Sequence, residues 1–100
     1  MNPKTNSFIE HDTILKKPSM FAVILHNDDI TTMDYVVEVL TDFFQKTPPE
    51  AAALMMDVHE KGQGVAGVYI FDIAATKKQH ADQRTAERGF PLKLTIREVQ

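Results

Sequence analysis

One hundred residues are enough for one hydrophobic core and too few for two independent ones, so a single domain is expected. With 43% hydrophobic and 25% charged residues, a net charge of -3 and a pI near 5.7, the chain has ordinary globular composition and no basic footprint for nucleic acid. It has no cysteine for disulfides, thiolate metal sites or thiol catalysis, and no apolar run near the ~20 residues that span a bilayer; a cytoplasmic protein without nucleic-acid or membrane partners is expected.

Met1 to Pro18 is polar, with scattered apolar residues that do not offset the entropy of ordering it, and reads as a flexible tail over 1–18 without a secretory leader. The folded domain then spans 19–100. Met20-Phe21-Ala22-Val23-Ile24-Leu25 has the length and β-branched character of a strand and runs into the polar turn His26-Asn27-Asp28-Asp29. Thr31-Thr32-Met33-Asp34 fits a capping box with Thr31 as the cap, followed by a helix whose apolar stripe is Met33, Val36, Val37, Leu40 and Phe44. Thr47-Pro48-Pro49-Glu50 starts a second helix, with Ala51, Leu54, Met55 and Val58 inward, His59 one turn above Met55, and Gly62 as the stop. Gly64 to Phe71 predicts a strand, Asp72 the cap of a third, mostly polar helix running to Gly89, and Leu92, Leu94 and Ile96 a half-buried strand after Pro91. The order β-α-α-β-α-β predicts an α/β (α+β) sandwich, three short antiparallel strands packed against three helices.

Two readings fit His26-Asn27-Asp28-Asp29. In one, Asn and Asp simply make the turn, since their side chains bond the nearby backbone. Two adjacent carboxylates also repel each other unless something positive sits beside them, so the same segment suits a cationic ligand. His59, on the edge of an apolar helix face, is either a boundary residue or a ligand-binding one. A metal site from His26, Asp28, Asp29 and His59 lacks any HxxxH or HExxH spacing, and neither a GxSxG elbow nor a phosphate loop is present. No metal, cofactor or catalytic residue is expected. Met33, Met55 and Met56 suit a core, and methionine equally lines adaptable apolar pockets.

Pro18-Ser19-Met20-Phe21, Val23-Ile24-Leu25-His26-Asn27-Asp28-Asp29, Thr31-Thr32-Met33 and Val58-His59 together resemble the ClpS family of adaptors for the AAA+ Clp protease, from about Pro18 onward. The resemblance implies a non-enzymatic, monomeric adaptor. It would bind the free α-amino group and bulky first side chain (Leu, Phe, Tyr or Trp) of N-degron substrates and deliver them to a ClpA-type unfoldase working with the ClpP peptidase. By the same resemblance Asn27, Asp28 and His59 bind the amine, Asp29 is a supporting acid, and Ile30, Thr31, Met33, Met55, Val58 and Leu92 form the side-chain pocket, with Met33 as gatekeeper. Asp72 and Lys77 would contact the unfoldase, and the tail would engage it during delivery. The implied fold is also similar to the C-terminal domain of a ribosomal stalk protein, so a non-catalytic scaffold or ribosome-associated interaction domain is the alternative.

Overall fold

The computed structural model describes residues 18–99. Its elements are β1 (Met20–His26), α1 (Met33–Phe43), α2 (Pro48–Lys61), β2 (Gln63–Ile70), α3 (Phe71–Arg88) and β3 (Lys93–Val99). The strands form one antiparallel sheet in the order β2-β1-β3, and the expected β-α-α-β-α-β sequence of elements is the observed one. The tail expected over 1–18 lies, but for Pro18, outside the described residues.

β1 is continuously apolar because it is the central strand. Val23 and Leu25 pack into the main core with Val39, Leu40, Val58, Ala74 and Leu94. Ala22 and Ile24 point the other way and are buried as well, since Ala22 lies between Val68 and Arg97 and Ile24 between Val65 and Thr95. Ala66 is the extra residue of a bulge, with Val65 and Gly67 paired to the consecutive Ile24 and Val23.

The second helix starts as the sequence predicts. Thr47 accepts from the Glu50 N–H at 3.3 Å, the Glu50 carboxylate accepts from the Thr47 N–H at 2.9 Å, and Pro48 opens the first turn. Gly62 ends it in the left-handed conformation at φ 91° and donates to the Val58 carbonyl at 2.9 Å. Gly64 then brings β2 against α2: a Cβ there would stand 2.8 Å from Val58 Cγ2 and 3.2 Å from Leu54 Cδ1. α1 and α3 are joined by a buried hydroxyl pair, Tyr35 to Thr85 at 2.8 Å, and by Glu38, which accepts from Arg88 at 2.7 Å and from Arg84 at 2.9 Å. The hydrogen bond from Arg88, with the charges of Arg88 and Arg84 and the bond from Arg84 added, outweighs desolvation and holds the Glu38 carboxyl below its ordinary range.

Two helix starts differ from the sequence prediction. α1 is capped by Thr32, whose hydroxyl oxygen accepts from the Tyr35 N–H at 3.1 Å; Thr31 does not cap the helix because its hydroxyl and amide are bound to Asp28. α3 begins at Phe71, not beyond it, and has no side-chain cap, which places Asp72 in the first turn instead of at the cap. The Phe71 ring meets Phe21 edge-on with centroids 5.1 Å apart, a contact between segments that local sequence does not register.

Candidate functional site

The link from β1 to α1, the first turn of α1 and the last two turns of α2 surround an open cavity of about 190 Å³ lined by Asn27, Asp28, Asp29, Thr31, Met33, Val36, Met55, Val58 and His59. The two walls are tied together near its polar end, where the Asn27 N–H donates to the Gly62 carbonyl at 2.9 Å. That bond joins the loop carrying Asn27 and Asp28 to the turn that ends the helix carrying Val58 and His59. Gly62 thus stops α2 and sets its spacing from the loop.

Asp28 is the most organised side chain of the site. Its Oδ1 accepts from the Ile30 N–H at 2.8 Å and the Thr31 N–H at 2.6 Å, and its Oδ2 accepts from the Thr31 hydroxyl at 2.7 Å. Partial burial pushes its pKa up, but the bonds from the Thr31 amide, the Thr31 hydroxyl and the Ile30 amide outweigh this and leave it below the ordinary carboxylate range. Asp28 is therefore both a turn-former and a fixed negative charge facing the cavity. A carboxylate has about four lone-pair directions, so three bonds leave one for a ligand.

The rest of the lining divides by chemistry. Asn27, Asp29 and His59 supply acceptors and charge around Asp28, while Met33, Val36, Met55 and Val58 form an apolar wall. Met33 stands at the rim, 44% exposed, whereas Val36 and Val58 are buried parts of the core. An apolar cavity of about 150 Å³ admits a benzene ring. The volume here accordingly suits one large side chain with a cation beside it, and is below the roughly 300 Å³ at which sites for larger ligands begin.

Of the residues expected to form the side-chain pocket, Thr31, Met33, Met55 and Val58 line the cavity and two do not. Ile30 is 67% exposed on the outside of the turn. Leu92 is buried in the main core, 6% exposed, because it precedes β3 and is packed with the helices. Val36, expected on the apolar stripe of α1 and not in the pocket, also lines the wall; its place at i+3 from Met33 is the signal that could have put it there. His26 lies apart from the cavity, with Nε2 2.8 Å from the Thr95 hydroxyl across the sheet. Among the described residues no group of three or more His, Asp or Glu side chains is placed to hold a metal ion.

The expected unfoldase contact falls on a shallow depression on α3 formed by Asp72, Ile73, Thr76, Lys77 and His80. Its lysine points inward to other parts of the chain: Lys77 Nζ donates to the Phe43 carbonyl at 3.0 Å and to Gln45 Oε1 at 2.5 Å, and lies 5.2 Å from the Tyr69 ring centroid. It thereby closes the C-terminal end of α1, just before Gln45 takes a positive φ of 53°. Ile73 is its exposed apolar part, and exposed Phe71 lies beside it in sequence.

The profile of the family described as "ATP-dependent Clp protease adaptor protein ClpS" matches residues 16–95. The chain belongs to the ClpS family. The ClpS adapter of Clostridium acetobutylicum is 51% identical over 85 residues, covering 85% of this chain and 84% of that one. The ClpS adapter of Acetivibrio thermocellus is 51% identical over 92 residues, covering 92% and 93%. Among solved structures, Agrobacterium tumefaciens ClpS2 bound to L-phenylalaninamide is similar with a TM-score of 0.80 and 35% identity, over 83% of this chain and all of that one. The fold is thus a ClpS fold, and the relatives are named as adaptors of a protease. No helix of the described residues is long and apolar enough to cross a membrane.

Proposed function

We propose that this protein binds the N-terminal residue of substrate proteins, through a free α-amino group and a bulky apolar side chain, and delivers those proteins in the cytoplasm to a ClpA-type unfoldase and its ClpP peptidase. The observation that carries this reading is the cavity itself, in which an ionised, pre-oriented Asp28 with Asn27 and His59 adjoins an apolar wall with room for one side chain. An α-amino group has a pKa of about 7.7 to 8.0 and is largely cationic at neutral pH, so it matches those acceptors. The amino-acid amide bound by the Agrobacterium relative has the same two parts, a free amine and an aromatic side chain, with its amide standing for the first peptide bond.

Asn27, Asp28 and His59 are the amine's partners, with His59 accepting through an unprotonated ring nitrogen, and Asp29 adds negative charge to the same rim. Each charge-assisted bond contributes about 1.5 to 3 kcal/mol, and burial of the side chain a further ~1.5 to 3 kcal/mol. After the costs of association this amounts to roughly micromolar affinity. Met33 at the rim filters by shape, passing Leu, Phe, Tyr and Trp and hindering β-branched residues. Titration of fluorescent peptides that differ only in their first residue tests the reading. Peptides beginning with those four residues are expected to bind, and equal binding of their N-acetylated forms would overturn it.

A further inference from the structure

We infer that Thr31 is a positioning residue for the amine: its hydroxyl holds the Asp28 carboxylate in the one orientation that leaves an acceptor direction open to the ligand. The inference rests on the proposed function and goes beyond it, because the family resemblance gives Thr31 only a place in the side-chain pocket.

Three observations carry it. The Thr31 hydroxyl donates to Asp28 Oδ2 at 2.7 Å, on the carboxylate oxygen not used by the backbone amides of Ile30 and Thr31, which both donate to Oδ1. Oδ1 has two donors already, so the ligand's direction lies on Oδ2, and the hydroxyl decides which side of that oxygen remains free. Second, the hydroxyl is not required for the helix. Thr32 caps α1, so adjacent threonines divide the work, one for the helix and one for the carboxylate. Third, Thr31 and Asp28 both line the cavity, so this bond is part of its polar rim. A hydroxyl facing an apolar pocket would be wasted on the side chain; directed at Asp28 it is satisfied and leaves only the threonine methyl for the wall.

The physical consequence is pre-organisation. Without the hydroxyl, the two amides still anchor Oδ1, but the carboxylate rotates more freely about its bond to Cβ and must be reordered when the amine arrives. Thr31→Val removes the hydroxyl at nearly constant shape, while Thr31→Ser keeps it.

Peptides beginning with Leu, Phe, Tyr and Trp are titrated against the full chain, Thr31→Val and Thr31→Ser, with thermal melts to establish that each variant is folded. Thr31→Val is expected to lose about threefold to tenfold in affinity, by a similar factor for all four peptides, and Thr31→Ser to stay within about twofold of the parent. In parallel the Asp28 carboxyl carbon is titrated by NMR in the free proteins, with Asp29 and His59, the other titratable groups lining the cavity, followed in the same spectra. Thr31→Val is expected to raise the Asp28 titration midpoint and Thr31→Ser to leave it in place. Unchanged affinity in Thr31→Val would overturn the inference. So would a loss that tracks the size of the first side chain with an unmoved Asp28 midpoint, which would make Thr31 a wall residue only. Failure of the parent protein to distinguish free from acetylated peptides would instead remove the proposed function, a separate outcome read from the parent alone.

Discussion

The cavity between the β1–α1 link, the start of α1 and the end of α2, and the depression on α3, both carry an aspartate and a neighbouring side chain able to form polar bonds, yet they use them in opposite ways. In the cavity, Asp28 spends its bonds on its own turn and presents a fixed charge to a concave, open space. On α3, Asp72 stands in the first helical turn without a capping bond, and Lys77 turns inward to the end of α1. Concavity and internal bonding make a site for a small group. An exposed helix flanked by Phe71 and Ile73 offers a broader surface of the kind another protein covers. Family resemblance assigns a role to both regions, but only the first has a geometry that implies its ligand.

The sharpest break between the two regions is expected at the amine. Acetylating a Leu-initiated peptide removes the cation and leaves Asp28 without its partner, and should weaken binding by about 100-fold or more in a fluorescence titration. Asp28→Ala should weaken it by about 10- to 100-fold, whereas Asp72→Ala should leave peptide affinity unaltered and reduce retention by immobilised ClpA-type unfoldase. Peptide binding that responds to Asp72, or ignores Asp28, would dissolve the distinction.

A packing change comes next. Gly64→Ala places a methyl against Val58 and Leu54, the helix that forms one wall of the cavity. A loss of about 1 to 3 kcal/mol is expected from overpacking, seen as a lower midpoint in thermal unfolding, together with weaker peptide binding. Smaller again is Lys77→Ala, which removes a cation from the C-terminal end of α1 and should cost about 0.3 to 1 kcal/mol in chemical denaturation without changing peptide affinity.

The pH dependence separates the turn-forming part of Asp28 from the ligand. Its folded-state pKa is depressed, so its ionised form stabilises the fold at pH values above the unfolded carboxyl pKa of about 3.9. That contribution is lost as pH falls through the lower folded value. The stability gap between the parent and Asp28→Asn, measured by denaturant unfolding without peptide, should therefore be full at pH 7 and close only in strong acid. A gap that closes between pH 6 and 5 would show that Asp28 is not held ionised by the bonds from Thr31 and Ile30.

Much of the fold is legible in the chain because its signals are local. Thr47 to Glu50 is a complete capping box, and Gly62 and Gly89 stop helices in the left-handed region, at φ 91° and 74°. The two helix starts that differ have different causes, one local and one distant. Thr31 and Thr32 are chemically equivalent as caps, and only the position of Asp28 decides between them; Phe71 is strand-like in composition, and its contact with Phe21 lies fifty residues away in the chain. Asn27, Asp28 and His59 were identifiable as polar residues in unusual places. Spacing alone did not say that they meet, and resemblance to the ClpS family supplied that expectation.

What the sequence determines by itself is the order of six elements, the loop chemistry of Asn27 to Asp29 and the family to which the chain belongs, all set by short-range periodicity, turn preference and motif. Tertiary structure decides the cavity. It brings Val36 into the wall, leaves Ile30 outside and Leu92 in the core, and joins Asn27 to Gly62. The reason is physical: a helix or turn satisfies its bonds within a few residues, whereas an enclosed volume exists only once surfaces from distant segments have closed around it.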